Sequence, residues 1–377
     1  MILRMKTRSL IAVLAFVLGL GTMPHRICER DAGAWFDGDP SRVDPLADEV
    51  AAHARDALTQ SSFATGSRRY DGEWLFGTYM MSAMGFGQIA LERRGDAQAI
   101  ARMETCLDAM LSDRARAFDR EGWGEDPLAS LAGDHGHVAW LGYAGMALSL
   151  HRTLVPESRF TAREEAIAGA LARRFARSPS GLLETYPGEV YPVDNSAALA
   201  ALALHARATH AEPPPGLAHG LDAIRASIDP ISGLLAQNAG VRGAVIGRGP
   251  ARGSGTALAS YFLSYADEAT SAALWRAARS TLFRTVLGFG ALLEQKDGSS
   301  RGDIDSGPVV FGFGVSATGF ALGASRAHGD RDAFRALYAT AHLFGAPHDG
   351  GYTTGGPIGD AILFAMMTAP RAREKAA

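Results

Sequence analysis

Three short segments gather side chains able to do acid/base chemistry. Residues 184–195 hold Glu184, Glu189 and Asp194 beside Tyr186 and Tyr191, in a stretch stiffened by Pro187 and Pro192. Residues 301–308 place Asp303 and Asp305 in alternation, between Arg301 and a Ser-Gly-Pro turn. The third segment joins Trp123, Glu125 and Asp126 to Asp134, His135 and His137 across a Gly-rich loop. Alternating acids held by Gly and Pro suit a helix cap next to a catalytic acid or base. A hard cation such as Ca²⁺ needs more oxygen ligands than these acids supply. The His135/His137 pair matches no zinc spacing, so no metal and no cofactor is expected.

Other chemistries lack their motifs. No G-x-S-x-G elbow occurs, and Gly253-Ser254-Gly255 reads as a helix start. No P-loop occurs, and Gly312-Phe313-Gly314 reads as helix packing. The two cysteines, Cys28 and Cys106, are too few for a disulfide scaffold or a thiolate metal site. They read as unrelated thiols, with a single bridge as the alternative. With 37 basic and 40 acidic residues and no sustained basic stripe, the chain carries no footprint for nucleic acid.

The elements that must position these side chains are helices. Helical stretches are expected at 43–59, 72–92, 96–112, 135–153, 160–177, 195–209, 216–228, 254–267, 269–287, 307–327, 330–344 and 357–369. No strand-period alternation and no Asn-Gly or Asp-Gly turn between apolar runs is found. The helices alternate in character. Those such as 160–177 and 330–344 are amphipathic and charged, whereas those such as 72–92 and 195–209 are small, apolar or aromatic on every face. A helix apolar all round must be buried. The buried set begins near 71, 134, 194, 253, 305 and 357, a near-regular period that marks a repeat array. The fold expected is therefore all-α: an (α/α)6 toroid of six helical hairpins over residues 40–372. An open superhelix is the alternative.

In a closed ring the inner helices run parallel, so their starts meet at one end. Asp71, Glu73, Trp74, Trp123, His137, Tyr186, Glu189, Tyr191, Asp194, Asn195, Arg252, Asp303 and Asp305 then become neighbours. Asp71, Asp134, Asp194, Ser254 and Asp305 also suit helix caps. Glu73, His137, Glu189 and Asp303 have no capping task.

The first residues read as a separate segment. Arg4, Lys6 and Arg8 precede an apolar run from Leu10 to Leu20, the pattern of an export signal over residues 1–24. An uncleaved N-terminal membrane anchor is the alternative. The expected location is periplasmic or secreted.

The chain resembles the linalool dehydratase/isomerase family of (α/α)6 proteins. The resemblance rests on Trp123 to Pro127, Gly136-His137 at an inner-helix start, residues 181–195 leading into an Ala/Leu helix, and Asp303-Ile304-Asp305 before a Gly-rich helix. It implies a site of aspartate, histidine and two cysteines acting on a small terpene alcohol. His137 matches the family's histidine. The cysteine places fall near Glu184 or Thr185 and at Asp194, where no cysteine stands. Thiol chemistry is thereby excluded at these positions.

The leading expectation is an exported acid/base enzyme acting on a carbohydrate, a glycoside hydrolase with paired carboxylates. Such an enzyme needs one protonated and one ionised carboxyl flanking the bond. Asp194 and Asp305 are the expected pair, with Glu189 and Asp71 as substitutes. Burial against Tyr191 or Trp74 would raise the acid's pKa. His137 would bind substrate or relay protons. Trp74, Tyr186 and Tyr191 would stack on sugar, with Glu73, Trp123, Asn195, Asp303 and Arg252 completing the lining. The alternatives are a hydro-lyase or isomerase of a small alcohol, as the resemblance implies, and a non-catalytic glycan-binding envelope protein.

Overall fold

A computed structural model describes residues 23–56 and 58–371. The export-signal segment lies outside the described residues except for its last two, and residues 23–28 are helical. Among the described residues, no helix is long and apolar enough to cross a membrane.

Six inner helices form the ring: α3 (Arg68–Glu92), α6 (Val138–Leu154), α8 (Pro192–Thr209), α10 (Gly253–Leu263), α12 (Val315–Ala327) and α14 (Gly356–Met367). Each packs against the next, and α14 returns to α3, so the ring closes. Six outer helices carry the chain back between them: α2 (Pro40–Arg55), α4 (Ala97–Met110), α7 (Thr161–Arg177), α9 (Pro215–Ala226), α11 (Glu268–Thr281) and α13 (Arg331–Gly345). The open superhelix is thereby ruled out. A short α1 (Ala32–Asp37) packs on α13, and an extra helix α5 (Asp113–Trp123) packs on α3.

The inner helices close because small residues let their axes approach. A methyl at Gly145 of α6 would stand 3.2 Å from Ala201 of α8, and one at Gly85 of α3 would meet the Phe364 ring of α14 at 2.3 Å. Nearly every α8 position from Pro192 to Ala206 is buried, as an inner helix requires. Both cysteines are free and buried, so the single-bridge alternative does not hold.

Two expectations fail locally. The fifth inner helix begins at Val315 rather than near 305, because residues 295–314 form a loop and a short hairpin. The region 283–292 is also a hairpin, β3/β4 (Phe283–Val286, Phe289–Leu292), rather than the end of a helix. Among the described residues four two-stranded hairpins occur: β1/β2 (Ala239–Arg242, Val245–Arg248), β3/β4, β5/β6 (Val309–Val310, Phe313–Gly314) and β7/β8 (Pro347–His348, Gly351–Tyr352). Each lies between an outer helix and the next inner one, at the inner-helix starts. Two of them turn at Leu287-Gly288 and Phe311-Gly312, both residues of each pair having positive φ. Bulky residues in that region are rare, so the usual turn signals pass over them.

Candidate active site

The inner helices all begin at one end of the ring, and no side chain caps any of the six. Four outer helices do have side-chain caps, from Asp39, Asp96, Asp267 and Asp330. The acids at the inner starts are therefore not engaged in capping. Asp71 and Asp194 stand in the positive first turns of their helices, which favour negative charge nearby.

Three carboxylates reach one another there. Glu73 stands in the second turn of α3, Asp194 in the first turn of α8, and Asp305 on the loop before α12. Glu73 and Asp194 are half-buried, and Asp305 is exposed on its loop. Burial, then the charges of Asp305 and Asp194, push the Glu73 carboxyl up to about 8. The Asp194 carboxyl is pushed up to about 6 by burial, against the pull of hydrogen bonds from Tyr143 and Thr185, and Asp305 adds to the rise. Although Asp305 is exposed, the protein packed around its carboxyl, then the charge of Asp303, bring it to about 6 as well. Two carboxylates that repel one another in a low-dielectric site cannot both ionise easily.

Tyrosines and one arginine hold this group in place. Tyr186 Oη donates to Glu73 Oε2 at 3.0 Å, and Tyr143 Oη donates to Asp194 Oδ1 at 2.7 Å. Burial and the neighbouring carboxylate charges keep both phenols far above their ordinary pKa, so they remain donors. The Arg69 guanidinium stacks 3.5 Å from the Tyr186 ring centroid and donates to Glu189 Oε2 at 3.3 Å. Tyr191 Oη donates to the same Glu189 oxygen at 3.0 Å. Glu189 is thus tied to two partners at the flank of the acid group.

The remaining expected residues divide. Trp74 is half-buried and lines an open pocket of about 480 Å³ with Thr65, Asp303, Ile304, Pro308 and Val309. The acid group lies beside this pocket rather than in its wall, with Trp74 next to Glu73 in the chain. Asp71 accepts from Thr65 N at 2.9 Å and Thr65 Oγ1 at 2.7 Å, fixing the loop ahead of α3. Asn195 is buried and bonds Leu183 N, Leu183 O and Tyr191 O, so it holds the 183–191 stretch rather than facing a ligand. Arg252 donates to both oxygens of Asp303 and to Glu294 Oε1, so Arg252 braces the loop, while Asp303 both anchors it and lines the pocket. His137 departs most from expectation. It is fully buried, bound through Nδ1 to Asp119 Oδ2 at 2.6 Å and stacked on Trp123 at 4.5 Å. It touches none of the three acids, so a direct role in proton relay to them does not follow. Trp123 forms the other face of that stack rather than a sugar platform.

Sequence reasoning missed Arg69, Tyr143 and Asp119. Arg69 was visible as a basic residue at the start of the first inner helix. Tyr143 is a lone hydroxyl-bearing ring in the apolar α6, which looks like core until its partner Asp194 is known. Asp119 lies in α5, a helix absent from the expected set.

The whole ring has known counterparts. It superposes on the GH76A α-1,6-mannanase of Salegentibacter sp. HEL1_6 with a TM-score of 0.53 at 13% identity, covering 86% of this chain and 97% of the mannanase. An unsaturated glucuronyl hydrolase specific for heparin matches with a TM-score of 0.55 at 10% identity, over 89% of this chain and 96% of the hydrolase. A GH76 α-mannanase of Bacteroides thetaiotaomicron matches with a TM-score of 0.51 at 10% identity, over 90% and 97%. The fold is that of the six-hairpin glycosidases. At these identities the likeness establishes fold alone. No family model matches the sequence, and no curated protein matches it either. The resemblance to the linalool dehydratase/isomerase family is corrected here, since the matching structures are mannanases and a glucuronyl hydrolase. With it goes the hydro-lyase or isomerase alternative, whose warrant was that resemblance.

Proposed function

We propose that this chain is a glycoside hydrolase whose acid is Glu73 and whose ionised partner is Asp194. The observation that carries the proposal is that Glu73, Asp194 and Asp305, from three separate hairpins, feel one another's charge at the inner-helix starts, with Glu73 and Asp194 each held by a buried tyrosine hydroxyl. At neutral pH the Glu73 carboxyl, pushed up to about 8, holds its proton. Asp194, at about 6, has mostly lost its own. One protonated and one ionised carboxyl is what glycosidic cleavage requires. Glu73 gives its proton to the leaving oxygen, and Asp194 serves the opposite side of the sugar. Tyr143 keeps Asp194 oriented, and the Asp305 charge helps to keep Glu73 protonated.

The neighbours support a carbohydrate substrate. An inactive variant of the Salegentibacter mannanase, with two aspartates changed to asparagine, has been crystallised with α-1,6-mannotriose, and its fold matches this chain with a TM-score of 0.54 at 12% identity. Trp74, beside Glu73 and facing the open pocket, supplies an aromatic surface for a sugar ring.

The test is turnover. The purified chain is incubated with α-1,6-linked mannooligosaccharides and with unsaturated glucuronyl disaccharides, and products are separated by chromatography. Cleavage by the wild type, lost in both Glu73→Gln and Asp194→Asn with folding intact, supports the assignment. Full activity in either variant removes that residue from its role. Binding without any cleavage by the wild type would instead favour a glycan-binding protein.

A further inference from the structure

The turn between α5 and α6 brings Glu125, His135 and His137 together. One ligand atom of each lies within 4.8 Å of the others. Glu125 Oε2 is 3.1 Å from His135 Nδ1 and 3.8 Å from His137 Nε2. A tetrahedral ion with bonds of about 2.0–2.1 Å separates its donors by roughly 3.3 Å, so small side-chain shifts suffice.

The decisive atom is His137 Nε2. The His137 side chain is fully buried, and this nitrogen has no hydrogen-bond partner. Its ring is oriented from behind, because Nδ1 is bonded to the buried Asp119 carboxylate at 2.6 Å. With the proton on Nδ1, the Nε2 lone pair points toward Glu125. A carboxylate behind a histidine is the outer support that metal-binding imidazoles use to fix their tautomer. Leaving such a nitrogen buried and unsatisfied is otherwise destabilising.

The surroundings suit an ion. Trp123 stacks on both rings, at 4.5 Å for His137 and 5.4 Å for His135, and holds them on one side. The buried Arg174 donates to the carbonyls of Ser130, Gly133 and Gly136, which pins the backbone of the turn. The side chains of Glu125 and His135 keep 40% and 65% of their exposure, so an ion can reach the site and keep water in a further position.

We propose that Glu125, His135 and His137 bind one Zn²⁺-class divalent ion. Two imidazole nitrogens and one carboxylate select a borderline transition metal over Ca²⁺ or Mg²⁺. The ion ties the 124–137 turn to the end of α5. That turn packs on the strand of chain bearing Tyr186, since any side chain at Gly136 would strike the Glu184 backbone.

The experiment uses the chelator-stripped full chain titrated with ZnCl₂ against a chromophoric competitor, with the thermal midpoint followed in parallel. One equivalent binding with micromolar or tighter affinity and a raised Tm is expected. His135→Ala and Glu125→Gln, both at partly exposed positions, should fold as the wild type and bind at least tenfold more weakly. His137→Gln should bind more weakly still. No stoichiometric binding by the wild type overturns the proposal, as does unchanged affinity in both His135→Ala and Glu125→Gln. Neither readout depends on glycan cleavage.

Discussion

Asp303 Oδ1 accepts the backbone N–H of Asp305 at 3.1 Å while receiving Arg252 Nη2 at 2.8 Å. Asp303, which lines the open pocket, is also the anchor that sets where its neighbour stands. The Arg252 guanidinium in turn reaches Glu294, which is wholly buried, and Ser254 Oγ donates to that same carboxylate at 2.7 Å. A chain of charge thus runs from the start of α10 through the loop to Asp305. Asp303→Ala should lower kcat by about ten- to a hundredfold with a smaller change in KM, because small misplacements of a catalytic group are costly. Arg252→Met leaves Glu294 buried without its cation and should cost about 3–5 kcal/mol in chemical denaturation.

The Tyr186 hydroxyl and the Arg69 charge both pull the Glu73 pKa down, against the larger upward push of burial. Removing the hydroxyl in Tyr186→Phe therefore raises that pKa further. If Glu73 is the acid, activity falls as pH rises through its pKa. The alkaline limb of the kcat/KM profile should then move to higher pH in Tyr186→Phe. Movement toward lower pH would remove Glu73 from the role.

The same shift makes a prediction about stability. Glu73 has a higher pKa folded than unfolded, so the folded chain binds the proton more tightly. Its contribution is complete below about 4.3, the unfolded value, and is lost as pH rises through about 8. Glu73→Gln, which carries no charge at any pH, escapes this loss. Its Tm should exceed that of the wild type at pH 8–9, on the order of a few degrees. Near pH 4 the two should be close. An inactive yet more stable variant is the expected signature of a carboxyl held for chemistry rather than for folding.

Cys106 is fully buried, and its thiol is pushed up to about 12 by that burial. Burial raises the Cys28 thiol as well. Thiolate is the reactive form, so neither should react with a thiol reagent in the native protein. Ellman's titration should report no reactive thiol until denaturant is added and then two, and iodoacetamide should leave any activity unchanged.

Much of the ring was legible because it follows from local pattern. Helices such as 195–209, apolar on all faces, have to be buried, and charged ones such as 160–177 have to be outside. Two of the hairpins were not legible, since Leu287 and Phe311 take up backbone conformations their side chains disfavour. The β7/β8 hairpin turns at Asp349-Gly350, an Asp-Gly signal hidden because no apolar runs flank it. The false start at 305 has a related cause. Asp303 and Asp305 look like a cap, but their backbone serves a loop braced from a different hairpin by Arg252. His135 and His137 carried no recognisable metal spacing, because the third donor, Glu125, comes from the far side of a loop and the supporting Asp119 from a helix the pattern did not reveal.

The sequence by itself determined six alternating helix pairs and the kinds of side chain that stand at the inner starts. Periodicity and polarity suffice for that, because both act over a few turns of chain. Only the tertiary structure decided which acids feel one another's charge. Glu73, Asp194 and Asp305 are separated by more than a hundred residues from one to the next. Their charges meet only once the ring closes through α14 and α3, and only then does burial push the Glu73 carboxyl to about 8, above Asp194 at about 6.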